Sequence, residues 1–216
     1  MTNNFIKLTL LIVSLLYSLP TYSNEVINSS VHHLSDGTYA NTSGVAYESS
    51  FNKLLKWSWE RRSKNLETFE FEVEVPNYKE IYENENIVTT WIGHETFLYQ
   101  NKDINVLTDP HFTQRASPLN FAGPKRYMAP GMKIDDLPNI DVVTISHSHY
   151  DHLDYMSVKL LAEKFDNILF LVPLGLKKWF ESKGIYNVRE LDWWDSLIIQ
   201  ETLISFAPVQ HWSARG

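Results

Sequence analysis

Four side chains able to bind a metal stand close together at His147, His149, Asp151 and His152, within Val142-Val143-Thr144-Ile145-Ser146-His147-Ser148-His149-Tyr150-Asp151-His152. The β-branched run that precedes them predicts a buried strand. Two histidines two residues apart just past its end point to the same side while the chain stays extended. Asp151 and His152 then serve a neighbouring position. Imidazoles with a carboxylate suit zinc, iron or manganese, and a chain without cysteine has no thiolate for a structural zinc site. The stretch reads as a catalytic metal centre; the competing reading is a surface loop rich in His and Asp.

Other elements must complete and position this centre. Gln210-His211-Trp212 follows the apolar run Thr202 to Pro208. His211, placed at the end of that strand, is the natural third nitrogen beside His147 and His149, leaving an open position for water. Thr108-Asp109-Pro110 closes an earlier strand. Asp109 either accepts a hydrogen bond from a metal-binding histidine or serves simple turn chemistry. A His32-His33 pair in the polar segment 24–50 has no third donor at a recognisable spacing, and exposed loop histidines are the expected outcome.

The rest of the chain supplies the frame. Ile87 to Ile92, Thr96 to Tyr99 and Ile104 to Thr108 read as an antiparallel meander broken at Gly93-His94-Glu95 and Asn101-Lys102-Asp103. Phe69 to Val75 alternates apolar and acidic residues and reads as a strand ended by Pro76. Phe112 to Pro138 is a long cation-bearing loop. Asp154 to Lys164 is expected helical, Ile168 to Val172 a buried strand, Leu174 to Lys183 a helix ended by Gly184, and Val188 to Leu191 a strand. Leu197 to Ile199 and Thr202 to Pro208 follow as strands. Alternating strands and helices imply an α/β domain with a covered sheet.

At 216 residues and 44% hydrophobic content the chain supports one domain with a sizeable core. Lys7, the apolar run Leu8 to Leu19 and Pro20-Thr21-Tyr22-Ser23 predict a signal peptide over 1–23 and export to the periplasm or beyond, or a membrane anchor if uncleaved. The domain is expected over 51–216. Cleavage after Ser23 removes Lys7 and no acid, leaving 18 basic against 26 acidic residues, a net charge of −8. That balance disfavours nucleic acid as a partner, because binding it needs a cationic face. Phe51 to Lys64 is basic and amphipathic; it fits a membrane surface or, the favoured reading, a helix whose aromatics face the core.

His-x-His-x-Asp-His resembles the signature of the metallo-β-lactamase superfamily. Further segments resemble its N-acylphosphatidylethanolamine-hydrolysing phospholipase D family: Thr90 to His94, Leu107 to Pro110, Arg115 to Pro118, Gly123 to Tyr127, Leu137 to Asp141, Ser146 to Tyr155, Val172 to Leu176, Glu190 to Trp194 and Gln210 to Trp212. The resemblance implies an αββα sandwich with two zinc ions, the first on His147, His149 and His211 and the second on Asp151, also the catalytic carboxylate, and His152. It also implies that Tyr150 faces the substrate. The substrate would be a phospholipid or related phosphodiester. Cleavage of the bond between phosphorus and the ethanolamine-side oxygen would give phosphatidic acid and an N-acylethanolamine.

Members of the family continue past the Gln-His-Trp segment to a bridging aspartate and a final histidine, whereas this sequence ends at Gly216. The expectation is an N-terminal portion of the sandwich, with uncovered apolar surface around Thr202 to Pro208. The second metal position would then be completed by a homodimer partner or by a separate C-terminal half. The alternatives are an inactive metal-binding remnant and another hydrolase of the superfamily, such as a lactonase.

Overall fold

A computed structural model describes residues 32–41, 52, 53, 55, 56, 59, 60, 72, 87–213 and 215. The expected signal segment 1–23 and the strand Phe69 to Val75, apart from Glu72, lie outside these residues.

The expected meander forms as β1 (Val88–Gly93), β2 (Thr96–Gln100) and β3 (Asn105–Thr108), paired antiparallel in sequence order. The chain then crosses over to β4 (Val142–Thr144), which lies parallel to β3 with Leu107 against Val143. Parallel pairs need a long connection, and the crossover is irregular except for a 3-10 turn at Ile134–Asp136. β5 (Leu169–Pro173) and β6 (Val188–Leu191) extend the parallel half, giving a six-stranded sheet in the order β1 to β6.

Helix α1 (Tyr155–Lys164) buries Ser157, Val158 and Leu161, the i, i+1, i+4 set of one face. Val158 and Leu161 join Leu98, Leu107, Val143 and Phe170 in the larger core cluster, on one side of the sheet. α2 is shorter than its apolar pattern suggests, Lys177–Glu181. Gly175 at φ +90 turns the chain after Pro173, so the helix starts late, and Gly184 at φ +78 follows its end.

The last two strands form the second layer that the sandwich expectation implies, although the last one ends at Ser205 and not at Pro208. β7 (Ser196–Ile199) and β8 (Thr202–Ser205) pair with each other, outside the six-stranded sheet. Leu197, Ile199, Ile204 and Phe206 pack on Val142, Leu171 and Leu191, the opposite face from α1. The order is thus helix, sheet, hairpin. Period 2 sends the alternate side chains outward, leaving Ile198 70% and Leu203 63% exposed.

The backbone is helical at Asn52, Lys53, Leu55, Lys56, Trp59 and Glu60, within the predicted amphipathic helix. Leu55 and Trp59 are exposed, so these two do not face the core as the favoured reading had it. Among the described residues no helix is long and apolar enough to cross a membrane.

Candidate metal centre

Loops that leave the carboxyl ends of adjacent parallel strands meet at one edge of a sheet, the usual place for an α/β site. Asp109 is one residue past β3, and His147 lies just past β4. Because β2 runs antiparallel to β3, the β1–β2 turn carrying His94 falls at the same edge.

Two donor groups form there. His147, His149 and His211 bring one ligating atom each within 4.8 Å of one another. His147 Nε2 lies 2.8 Å from His149 Nδ1, so the two side chains do point to one side. His211 completes the set from an irregular segment beyond β8, which ends at Ser205 and so stops short of delivering it directly. The second group is His94, Asp151 and His152. His94 Nε2 sits 3.0 Å from Asp151 Oδ2. The groups abut where the rings of His147 and His152 come within 4.0 Å.

Asp109 fastens the second group to the sheet. Its Oδ2 is 2.9 Å from His152 Nδ1 and accepts from the Ser146 hydroxyl at 2.7 Å, while Oδ1 accepts from the Ser146 amide at 2.7 Å. Of the two readings of Asp109, the histidine contact is the one the geometry shows. The residue holds φ +36, an uncommon conformation for a non-glycine residue and one that often accompanies functional sites. His94 shares this feature at φ +54, next to Gly93.

Electrostatics favour ligation. Burial pushes the pKa of His147 down to about 4, helped by His152, His149 and His211. His149 is lowered by burial and His211. Both rings are therefore neutral near pH 7 and keep a lone pair for a metal. Burial opposes the charged form of His152, but the hydrogen bond and charge of Asp109, with Asp151 and Glu95, outweigh it and raise its pKa. The His94 contact holds Asp151 well below the usual carboxylate range, so it is ionised.

His149 Nε2 is buried with no hydrogen-bond partner. The other nitrogen of the same ring, Nδ1, faces His147 Nε2, so a neutral His149 offers the three-histidine group its Nδ1 lone pair. The donors present thus fit a metal.

The C-terminal segment docks on the histidine loop. Ser213 Oγ accepts from the Ser148 amide at 3.1 Å. Arg215 donates to the carbonyls of Ser148 and Leu153 at 3.0 and 2.7 Å. Its guanidinium lies 4.3 Å from the ring centroid of Tyr150. Tyr150 is half-buried against this cation.

Sequence reasoning missed His94, read only as part of a turn, although Thr90 to His94 was among the family-like segments. It also missed Ser146 and His111. The latter is buried beside Arg126, which donates to its carbonyl, and its Nε2 has no partner. The largest correction concerns His32, since its neighbour His33 is exposed as expected. His32 is only 6% exposed, and both histidines contact Asp192.

A family model described as "Beta-lactamase superfamily domain" matches residues 104–216, more than half of the chain. The chain belongs to the β-lactamase superfamily. Among curated proteins it is 40% identical over 146 residues to N-acyl-phosphatidylethanolamine-hydrolyzing phospholipase D 1 of Caenorhabditis elegans, covering 63% of this chain and 41% of that protein. The mitochondrial N-acyl-phosphatidylethanolamine-hydrolyzing phospholipase D of Saccharomyces cerevisiae is 34% identical over 134 residues, covering 60% and 28%. The chain thus spans less than half the length of these relatives. Among solved structures, a metallo hydrolase from the archaeon Ignicoccus hospitalis aligns with a TM-score of 0.39 at 17% identity, over 51% of this chain and 42% of that one. The described residues thus bring together histidine and carboxylate donors that could hold a metal.

Proposed function

We propose that the chain carries the metal centre of a zinc-dependent phosphodiesterase acting on N-acylphosphatidylethanolamine-type phospholipids. The observation that carries this reading is the meeting of two donor groups, His147–His149–His211 and His94–Asp151–His152, at one sheet edge. The likeness to relatives named as N-acyl-phosphatidylethanolamine-hydrolyzing enzymes supports the choice of substrate.

His147, His149 and His211 would hold one ion; His94, Asp151 and His152 a second. When bound, such ions act as Lewis acids that make water a nucleophile near neutral pH and neutralise charge on the phosphoryl oxygens. The protein's own groups do the positioning. Asp109 takes the Nδ1 side of His152, leaving Nε2 for the metal. Asp151, kept ionised, would serve as a ligand and a hydrogen-bond acceptor and not as an acid. Tyr150, backed by Arg215, would meet the substrate beside the phosphate. Export, contact with a membrane surface and association with a second copy of the chain belong to the same reading.

Zinc-loaded protein incubated with N-acylphosphatidylethanolamine should release phosphatidic acid and N-acylethanolamine, identified by mass spectrometry. Release of diacylglycerol, or no release above the His147→Ala variant, would count against the proposal.

A further inference from the structure

The adjacent His32 and His33 meet Asp192, about 160 residues further along the chain, away from the centre described above. His32 Nε2 lies 2.6 Å from Asp192 Oδ1, and His33 Nε2 lies 2.8 Å from Oδ2. One ligating atom from each falls within 4.8 Å of the others. Asp192 follows directly on β6, at the same end of the sheet as Asp109 and His147. It stands two strands from β4, roughly 10 Å at the usual strand spacing.

Both sides of this cluster are held by groups that take no other part in it. On one side, a turn closes on itself: Leu34 donates to the Thr38 carbonyl at 2.9 Å and Ala40 to that of His32 at 2.8 Å. Asp36 accepts from the Thr38 amide and hydroxyl at 2.9 and 2.6 Å. Consecutive residues of an extended strand point to opposite faces. The two imidazoles instead converge, with ring centroids 4.4 Å apart at 89°. On the other side, the Trp193 amide donates to Asp192 Oδ1 at 2.8 Å, and Asp195 accepts from the Asp192 amide at 2.8 Å. The Trp193 indole stacks on His32 at 4.1 Å and 15°, fixing the buried ring.

Two imidazole nitrogens and one carboxylate, oriented by neighbouring backbone and rings, form a donor set that divalent zinc, iron or nickel accepts. The His94–Asp151–His152 group has the same composition and the same Nε2-to-carboxylate contact, at 3.0 Å. We infer that His32, His33 and Asp192 bind a divalent transition-metal ion of the zinc type, at a site separate from the hydrolytic centre, pinning the 32–41 turn to the β6–β7 connection.

The test is zinc per chain after exhaustive dialysis of zinc-loaded full-length protein, for wild type, Asp192→Asn, His33→Ala and His147→Ala. Asp192→Asn keeps the shape and one acceptor oxygen. His33→Ala removes a ring that is 40% exposed and leaves the His32–Asp192 contact in place. Each should lose about one equivalent relative to wild type, and zinc should no longer raise the melting temperature through this site. His147→Ala should retain that equivalent, and its loss should add to that of Asp192→Asn in the double variant. Zinc contents of Asp192→Asn and His33→Ala equal to wild type would show a hydrogen-bonded clasp only and overturn the assignment. Because His147→Ala removes a ligand of the three-histidine group and none of His32, His33 and Asp192, failure of either assignment is visible separately.

Discussion

Asp109 Oδ2 lies 2.9 Å from His152 Nδ1 and shares its other oxygen with the Ser146 amide, so one carboxylate at the end of β3 sets both a histidine and the start of the histidine loop. Replacing it by asparagine keeps the volume but removes the charge that holds His152 in place. Asp109→Asn should weaken metal retention at the His94–Asp151–His152 group by about 10- to 100-fold. Metal titration of the variant checks this, and unchanged affinity would show that Asp109 is turn chemistry alone.

The same group predicts a role for His94. His94→Ala removes a donor 3.0 Å from Asp151 and with it the contact that keeps this carboxylate's pKa low. The variant should lose the ion of this group and keep that of His147–His149–His211. Metal analysis together with a hydrolysis assay should show activity falling while the three-histidine site stays loaded. Full two-metal occupancy would remove His94 from the ligand set.

Lowering the pH should empty the two groups in a fixed order. His152 has a raised pKa, so on descending from pH 8 the proton reaches it above the ordinary value of 6.5 and displaces the metal. His147, lowered to about 4, resists protonation until far more acidic conditions. The metal-free fold follows the matching sign: for His147 the unfolded chain binds the proton more readily, so its contribution to stability is full above 6.5 and declines as pH falls towards 4. Metal content measured from pH 8 to 5 should fall first at the His94–Asp151–His152 group; the reverse order would contradict these environments.

Gly93 makes a further target. It holds φ +138, and a Cβ there would lie 2.9 Å from the Arg126 guanidinium, which donates to the His111 carbonyl. Gly93→Ala should cost about 1–3 kcal/mol through the backbone alone and displace the turn that presents His94. Thermal melts and metal content measured together test both effects, and a variant indistinguishable from wild type would mean the turn adapts.

The sequence carried the frame and half of the centre for physical reasons. Strands β1 to β6 were legible because their alternation and turn residues are local signals, and His147 to His152 because four donors in one short stretch leave little else to infer. His94 was hidden because its partner, Asp151, lies 57 residues away. His32 looked exposed because burial against Trp193 and Asp192 depends on a contact about 160 residues away that no local pattern records. Strands β7 and β8 were legible too, but not their pairing with each other, because an apolar alternation specifies a strand and not the sheet it joins. Leu55 and Trp59 were misplaced for a related reason: amphipathic spacing predicts a helix with an apolar face, not what covers that face.

The central claim is that two donor groups bind metal side by side at the edge of the sheet, and anomalous X-ray scattering at the zinc edge from crystals of zinc-loaded protein tests it most directly. The account predicts one peak among His147, His149 and His211 and another among His94, Asp151 and His152, each about 2.0–2.2 Å from the ligating atoms. Crystals that show zinc elsewhere and no peak at either group would contradict it.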